Sequence, residues 1–167
     1  MCIRDRAGTA SQLEHSKTTD FCVSCHAMEP YGESLAIDSS THLPATHYQN
    51  HRVPRDTACF DCHTSYTMYG DIEAKLKGVK HVWVNYFGTV PDRLSLYAPY
   101  QNRDCLHCHQ ESRSFLENEF HEDLEALASN ETSCIACHSD VHAVDELDSL
   151  PTWSLAATGE AGRRSSP

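Results

Sequence analysis

No stretch of this 167-residue chain approaches the roughly 18–20 consecutive apolar residues that a membrane-crossing helix needs. No apolar core of an export signal is visible either. Strongly apolar side chains are scarce throughout. Hydrophobic types make up 40% of the residues, yet mean hydropathy is −0.52, because Ala and Cys supply much of that fraction. A single domain of this length could hold an ordinary core, but few side chains are available to fill one, so buried apolar surface must come from another source. Basic residues are in the minority: 13 Lys and Arg face 24 Asp and Glu, a formal net charge of −11. That excludes nucleic-acid binding, which needs basic patches to neutralise phosphates, and suits a partner with a basic docking face. Strand-hairpin signals are missing. So are a Gly-rich phosphate loop, an HExxH motif and a Ser-His-Asp order, so no separate catalytic constellation marks the chain as an enzyme.

What the chain has is cysteine and histidine, 9 and 12 respectively. Eight of the cysteines fall in four motifs: Cys22-Val-Ser-Cys25-His26, Cys59-Phe-Asp-Cys62-His63, Cys105-Leu-His-Cys108-His109 and Cys134-Ile-Ala-Cys137-His138. Two cysteines three apart, on about one helical turn, can each form a thioether to one haem, and the next residue then offers its imidazole to the iron. Chance would place roughly 0.03 such motifs in a chain of this composition. Structural zinc or four disulfides would also use Cys-x-x-Cys pairs, but neither requires a histidine after every second cysteine. The expectation is four covalent haems c, whose macrocycles supply the missing apolar surface. Cys2 is left over. Its context, Met1-Cys2-Ile3-Arg4-Asp5-Arg6, reads like translated sequencing-adapter DNA, so the native N-terminus is expected to lie upstream and Cys2 to have no role.

The fold expected is mostly α with much irregular structure, a multihaem cytochrome c organised around its haems. Residues 1–17 read as a tail without periodicity, 18–145 as the tetrahaem domain, and 146–167 as a disordered tail rich, beyond about Pro151, in Ala, Thr, Gly, Ser and Arg. Residues 31–54 read as loop with short helical turns. Ile72, Leu76, Val79, Trp83 and Phe87 recur every three or four residues, predicting an amphipathic helix over 71–87 with Gly88 as its stop. Leu116, Phe120, Leu124 and Leu127 predict a second one over 111–128. The motif starts at 22, 59, 105 and 134 lie 37, 46 and 29 residues apart, an irregularity that argues against a strict repeat. Eight histidines lie outside the motifs: His15, His42, His47, His51, His81, His107, His121 and His142. Some must be sixth iron ligands, since bis-His iron is suited to electron transfer; His42, His51 and His107 are read as bystanders.

Phe21-Cys22-Val23-Ser24-Cys25-His26-Ala27-Met28, with its C-x-x-C-H-x-M pattern, resembles the first haem site of the NapC/NirT/NrfH cytochromes. The resemblance continues through His47-Tyr48, the second motif, the Lys-rich helix ending Phe87-Gly88-Thr89, Asn102-Arg103-Asp104-Cys105, and Cys134 to His142, covering roughly residues 18–145. It implies a periplasmic quinol oxidase, held on the inner membrane by an N-terminal anchor absent from this chain, that passes electrons to a terminal reductase. It also implies iron ligands: Met28 for the first haem in place of His26, unless Met28 merely packs on the porphyrin; His142 for the third; His47 for the fourth; and His121 or a partner residue for the second. Lys75 matches the family's quinol-contacting lysine, whereas Lys77 reads as solvated. His81 stands near where the family has an acidic residue, and is either a proton acceptor beside Lys75, six residues away and taken to share its side of the helix, or an axial ligand. His138 to His142 is one residue shorter than the family's usual spacing. The alternatives to a quinol-fed relay are a soluble tetrahaem shuttle without a quinol site, or a haem reductase of small nitrogen compounds.

Overall fold

The computed structural model describes residues 3–96 and 99–152. The chain divides into two compact units, residues 1–62 with 140–167, and residues 63–139. Among the described residues every regular element is helical, and extended pairing is confined to one antiparallel bridge between Ile37 and Thr152. The mostly-α, irregular fold expected from the sequence is the one adopted.

The first unit opens with α1 (Ile3–His15), where the sequence read as a tail. Its described side chains are exposed; Ala, Arg, Gln, Leu and Glu form helix by intrinsic preference, which a search for an apolar face does not detect. α2 (Thr19–Val23) begins the first motif and is capped by Thr18, whose hydroxyl accepts from the Phe21 amide at 3.2 Å. A 3-10 turn over His26–Met28 leads into α3 (Glu29–Glu33), and a second over Ser34–Ala36 precedes α4 (Leu43–Gln49). α5 (Ala58–His63) carries the second motif. The core of this unit is Ile37, Ala45 and Ala143, with Leu147 and Leu150 packed against them. The Asp38 amide donates to the Pro151 carbonyl at 2.7 Å. The C-terminal segment expected to be disordered from 146 is therefore folded as far as Thr152, because two leucines three apart present one apolar edge; residues 153–167 lie outside the described residues.

The second unit holds α6 (Gly70–Phe87), α7 (Asn102–His109), α8 (Arg113–Leu116), a 3-10 turn over Glu119–His121, α9 (Leu124–Ala128) and α10 (Cys134–Cys137). α6 matches the predicted helix to within one residue. A Cβ on Gly70 would stand 1.5 Å from the Ser65 carbonyl oxygen, so the first turn seats there only with glycine. Gly88 ends the helix in an extended conformation, φ −108°, its amide donating to Val84 O at 3.0 Å, and not in the left-handed geometry of a typical glycine stop. The apolar face is real but turned outward. Ile72, Leu76, Val79, Trp83 and Phe87 are all exposed, while Gly70 is buried and Ala74, Lys77 and Val84 are half-buried.

The single helix predicted over 111–128 is broken into α8, a 3-10 turn and α9. Asn118 and Asp123 cause the breaks: each turns its side-chain oxygen back onto a backbone amide, that of Phe120 at 3.0 Å and of Ala126 at 3.0 Å, offering the chain an alternative to continued helix. Of the four aligned apolar residues only Leu127 is buried; Leu116, Phe120 and Leu124 are exposed.

Candidate haem-attachment sites

Each motif lies on a short helical turn, which sets two thiols on one side and the imidazole beside them. Cys22 lies in α2 and His26 opens the following 3-10 turn; Cys59, Cys62 and His63 lie in α5; Cys105, Cys108 and His109 in α7; Cys134 and Cys137 in α10, with His138 at its end. The eight motif cysteines are free thiols, and among the described residues no three Cys, His, Asp or Glu side chains converge as a zinc site requires. His26, His109 and His138 are exposed, among aromatic and aliphatic side chains that are exposed too. Only seven hydrophobic side chains are buried among the described residues, far short of an ordinary core, so a large flat apolar group attached at these cysteines fits both the chemistry of the donors and the shortage of cover.

The motifs are arranged in two equivalent pairs. In the first unit the Cys22 thiol hydrogen-bonds Cys59; this is the main cause that holds the Cys59 pKa at about 7, with Thr19 adding to it and burial opposing. Thr19 also ties the two segments through its backbone, its amide donating to Asp56 O at 2.7 Å and its hydroxyl to Arg55 O at 2.8 Å. In the second unit Cys105 hydrogen-bonds Cys134, although burial dominates and pushes the Cys134 thiol up. There the tie is Asn102, fully buried. Its side-chain NH₂ donates to Leu127 O at 2.8 Å and Thr132 O at 2.6 Å, its oxygen accepts from the Cys134 amide at 2.8 Å, and its own amide donates to Asn130 Oδ1 at 2.7 Å. Thr19 stands three residues before Cys22 and Asn102 three before Cys105, so one device, a buried polar residue in the turn before a motif, holds the next motif in both units.

Three of the sixth-ligand candidates have one ring nitrogen engaged. Nδ1 of His47 lies 2.7 Å from Leu43 O, that of His121 3.1 Å from Phe115 O, and that of His142 2.7 Å from the Ser34 hydroxyl. Such contacts fix a ligand imidazole's tautomer and orientation, directing Nε2 to the metal. The His121 ring centre stands 6.3 Å from that of His138. His81 lies close enough to His63 to lower its pKa; crowding by protein atoms is the larger cause there, although His63 keeps exposed surface, and Lys77 adds a smaller repulsion. His81 is itself lowered, chiefly by burial and then by Lys80. Lys75 and His81 do not share a side of α6: six residues at about 100° each leave them some 120° apart. Met28, half-buried, follows His26 in the same 3-10 turn. The Glu29 carboxylate meets His26 Nδ1 at 2.8 Å, a contact the sequence signals only as an acid three residues on. His107 stacks on Tyr66 at 4.1 Å and His42 meets Ser39 Oγ at 2.8 Å, and His51 is exposed. Thr19 has no sequence signal and Asn102 has only its place in the family resemblance, because a buried polar residue looks like any other until its partners are known.

The model of the NapC/NirT cytochrome c family, N-terminal region, matches residues 2–147. The chain belongs to that family. This NapC/NirT cytochrome is an electron-transfer protein of the haem c type. It is similar to the cytochrome c-type protein NapC of Paracoccus pantotrophus, 29% identical over 87% of this chain and 67% of that protein. It resembles the denitrification system component NirT of Stutzerimonas stutzeri, 27% identical over 80% and 72%. The cytochrome c-type protein TorC of Escherichia coli K12 is 24% identical over 82% of this chain but 38% of its own length. No solved structure matches the chain.

Proposed function

We propose that this cytochrome carries four haems c and relays electrons from membrane quinol to a periplasmic reductase or a soluble redox partner with a basic face, held at the inner membrane by an anchor upstream of this chain. The observation that carries the relay is the pairing of attachment cysteines, Cys22 against Cys59 and Cys105 against Cys134. Sulfurs in contact bring the edges of the groups they hold together, which four independent binding sites would not require. Bound haem supplies one-electron chemistry; the chain's residues supply spacing, ligands and docking.

Cys22, Cys25, Cys59, Cys62, Cys105, Cys108, Cys134 and Cys137 form the thioethers, with His26, His63, His109 and His138 as motif ligands. Met28 competes with His26 at the first haem, and Glu29 holds His26 in place. His142 completes the third. His81, beside His63 and away from Lys75, fits the second haem better than a quinol site. Lys75 remains the contact to a quinol oxygen. For the fourth haem the family resemblance points to His47, while the proximity of the His121 ring to that of His138, 6.3 Å between centres, supports His121, which would hold the group together with His138.

The test begins with intact mass and a pyridine haemochrome assay, where fewer than four haems under full maturation defeats the count. EPR then decides the ligands. Whichever of His47→Ala and His121→Ala yields a high-spin fourth haem identifies its ligand, and His142→Ala should do the same for the third. With the upstream anchor restored, Lys75→Ala should slow reduction by quinol about tenfold, the worth of one lost hydrogen bond, and leave reduction by dithionite unchanged. Wild-type rates in that variant remove the quinol site and leave a shuttle.

A further inference from the structure

Ser34 opens the 3-10 turn after α3 and is buried, with 2% of its surface exposed. Its Oγ lies 2.7 Å from the Tyr31 carbonyl oxygen and 2.7 Å from His142 Nδ1. A serine hydroxyl has a single proton to donate, whereas a carbonyl oxygen can only accept. The proton therefore belongs to the Tyr31 contact. Turned the other way, the hydroxyl would leave two oxygens 2.7 Å apart with no proton between them, and burial keeps water from repairing the loss. Oγ is then the acceptor toward His142, so Nδ1 carries the hydrogen. In a neutral imidazole that makes Nε2 the unprotonated nitrogen, the one able to bind a metal. We propose that Ser34 is a positioning residue for His142: its hydroxyl fixes the Nδ1–H tautomer and the direction of the ring, and sets the basicity with which His142 binds haem iron. The proposal rests on the reading of His142 as an iron ligand.

Both partners are held by their surroundings. The Ser34 amide donates to the Pro30 carbonyl at the end of α3. The His142 ring meets the Tyr31 ring edge-on, 5.4 Å between centres at 76°, and Ala143 beside it belongs to the core with Ile37 and Ala45. A hydroxyl that donates to a carbonyl is polarised and accepts more strongly. A stronger acceptor on Nδ1–H makes the imidazole a better donor to iron and favours the oxidised metal. His47 and His121 turn Nδ1 to the backbone carbonyls of Leu43 and Phe115, acceptors that no substitution of those residues takes away. His142 differs from both in having a side-chain acceptor, so its basicity is set by the identity of one residue.

The test is a redox titration of the haem-loaded protein followed by EPR. Ser34→Ala removes the acceptor, so the midpoint potential of one haem should rise and its low-spin signal should shift, with the other haems unmoved. Ser34→Thr keeps the hydroxyl and should titrate as wild type does. Wild-type potentials in Ser34→Ala, or an equal shift in Ser34→Thr, overturn the proposal, the second outcome assigning Ser34 to packing alone. His142→Ala separates this proposal from the reading beneath it. A high-spin haem in His142→Ala beside wild-type potentials in Ser34→Ala defeats the role of Ser34 and leaves His142 a ligand. A fully low-spin His142→Ala defeats the ligand itself, and the proposal with it.

Discussion

Asn102 commits both side-chain protons and its oxygen to three backbone groups, and through them sets the fourth motif against the third. Removing it leaves two carbonyls and the Cys134 amide without that partner. At roughly 1 kcal/mol per hydrogen bond, Asn102→Ala should cost about 3 kcal/mol, read as a lower denaturant midpoint of the haem-loaded protein. Thr19→Ala, losing one hydroxyl donor to Arg55 and a contact to Cys59, should cost about 1 kcal/mol by the same measure. Gly70 is constrained by space: with a Cβ 1.5 Å from the Ser65 oxygen, Gly70→Ala forces the start of α6 to move, at about 2 kcal/mol. Glu29 acts on chemistry more than on stability. A carboxylate on His26 raises the imidazole's basicity as an iron ligand, so Glu29→Gln should raise the potential of the first haem in a redox titration, with the other haems unmoved. No change would mean that His26 is not the ligand.

Among the elements, the contrast between α6 and the broken 113–128 segment shows what ends a helix. Both carry apolar residues at helical spacing. α6 has no Asn, Asp or Ser between Asp71 and Asn85, and runs unbroken. In the second segment Asn118 and Asp123 each recruit a backbone amide and divide it. Asp123→Ala should therefore cost about 1 kcal/mol, the usual worth of an N-cap, and loosen α9, which carries the buried Leu127 whose carbonyl receives Asn102. Thermal melts of Asp123→Ala and Asn102→Ala, alone and together, should show a combined loss smaller than the sum, because both act on the same segment.

At the scale of the molecule, the protein has two small units and seven buried hydrophobic side chains among its described residues. Burial on that scale does not offset the conformational entropy of a chain this long, so cohesion must come from the attached haems. The haem-free chain should show no cooperative transition by far-UV circular dichroism, whereas the mature protein melts cooperatively. Native-like melting of the haem-free chain would overturn this account. The arrangement of two motifs clamped by a polar residue three positions before the first cysteine recurs in both units. Spacings of 37, 46 and 29 residues between motif starts hide that likeness, since the segments between motifs differ in length while the clamp does not.

The haem c class was legible in the residues alone, because a thioether pair and its histidine depend on the geometry of one helical turn and on nothing distant. The helical class and α6 were legible for the same local reason. Tertiary structure decided the rest. Which motif partners which, that Asn102 and Thr19 clamp them, and that His121 faces His138 are contacts between residues 17 to 40 positions apart in the chain, and composition carries no trace of them. Periodicity established that α6 has an apolar face but could not say which side the unit would cover. The small side chains Gly70 and Ala74 permit close approach, so the helix packs by that side and turns its large apolar residues outward.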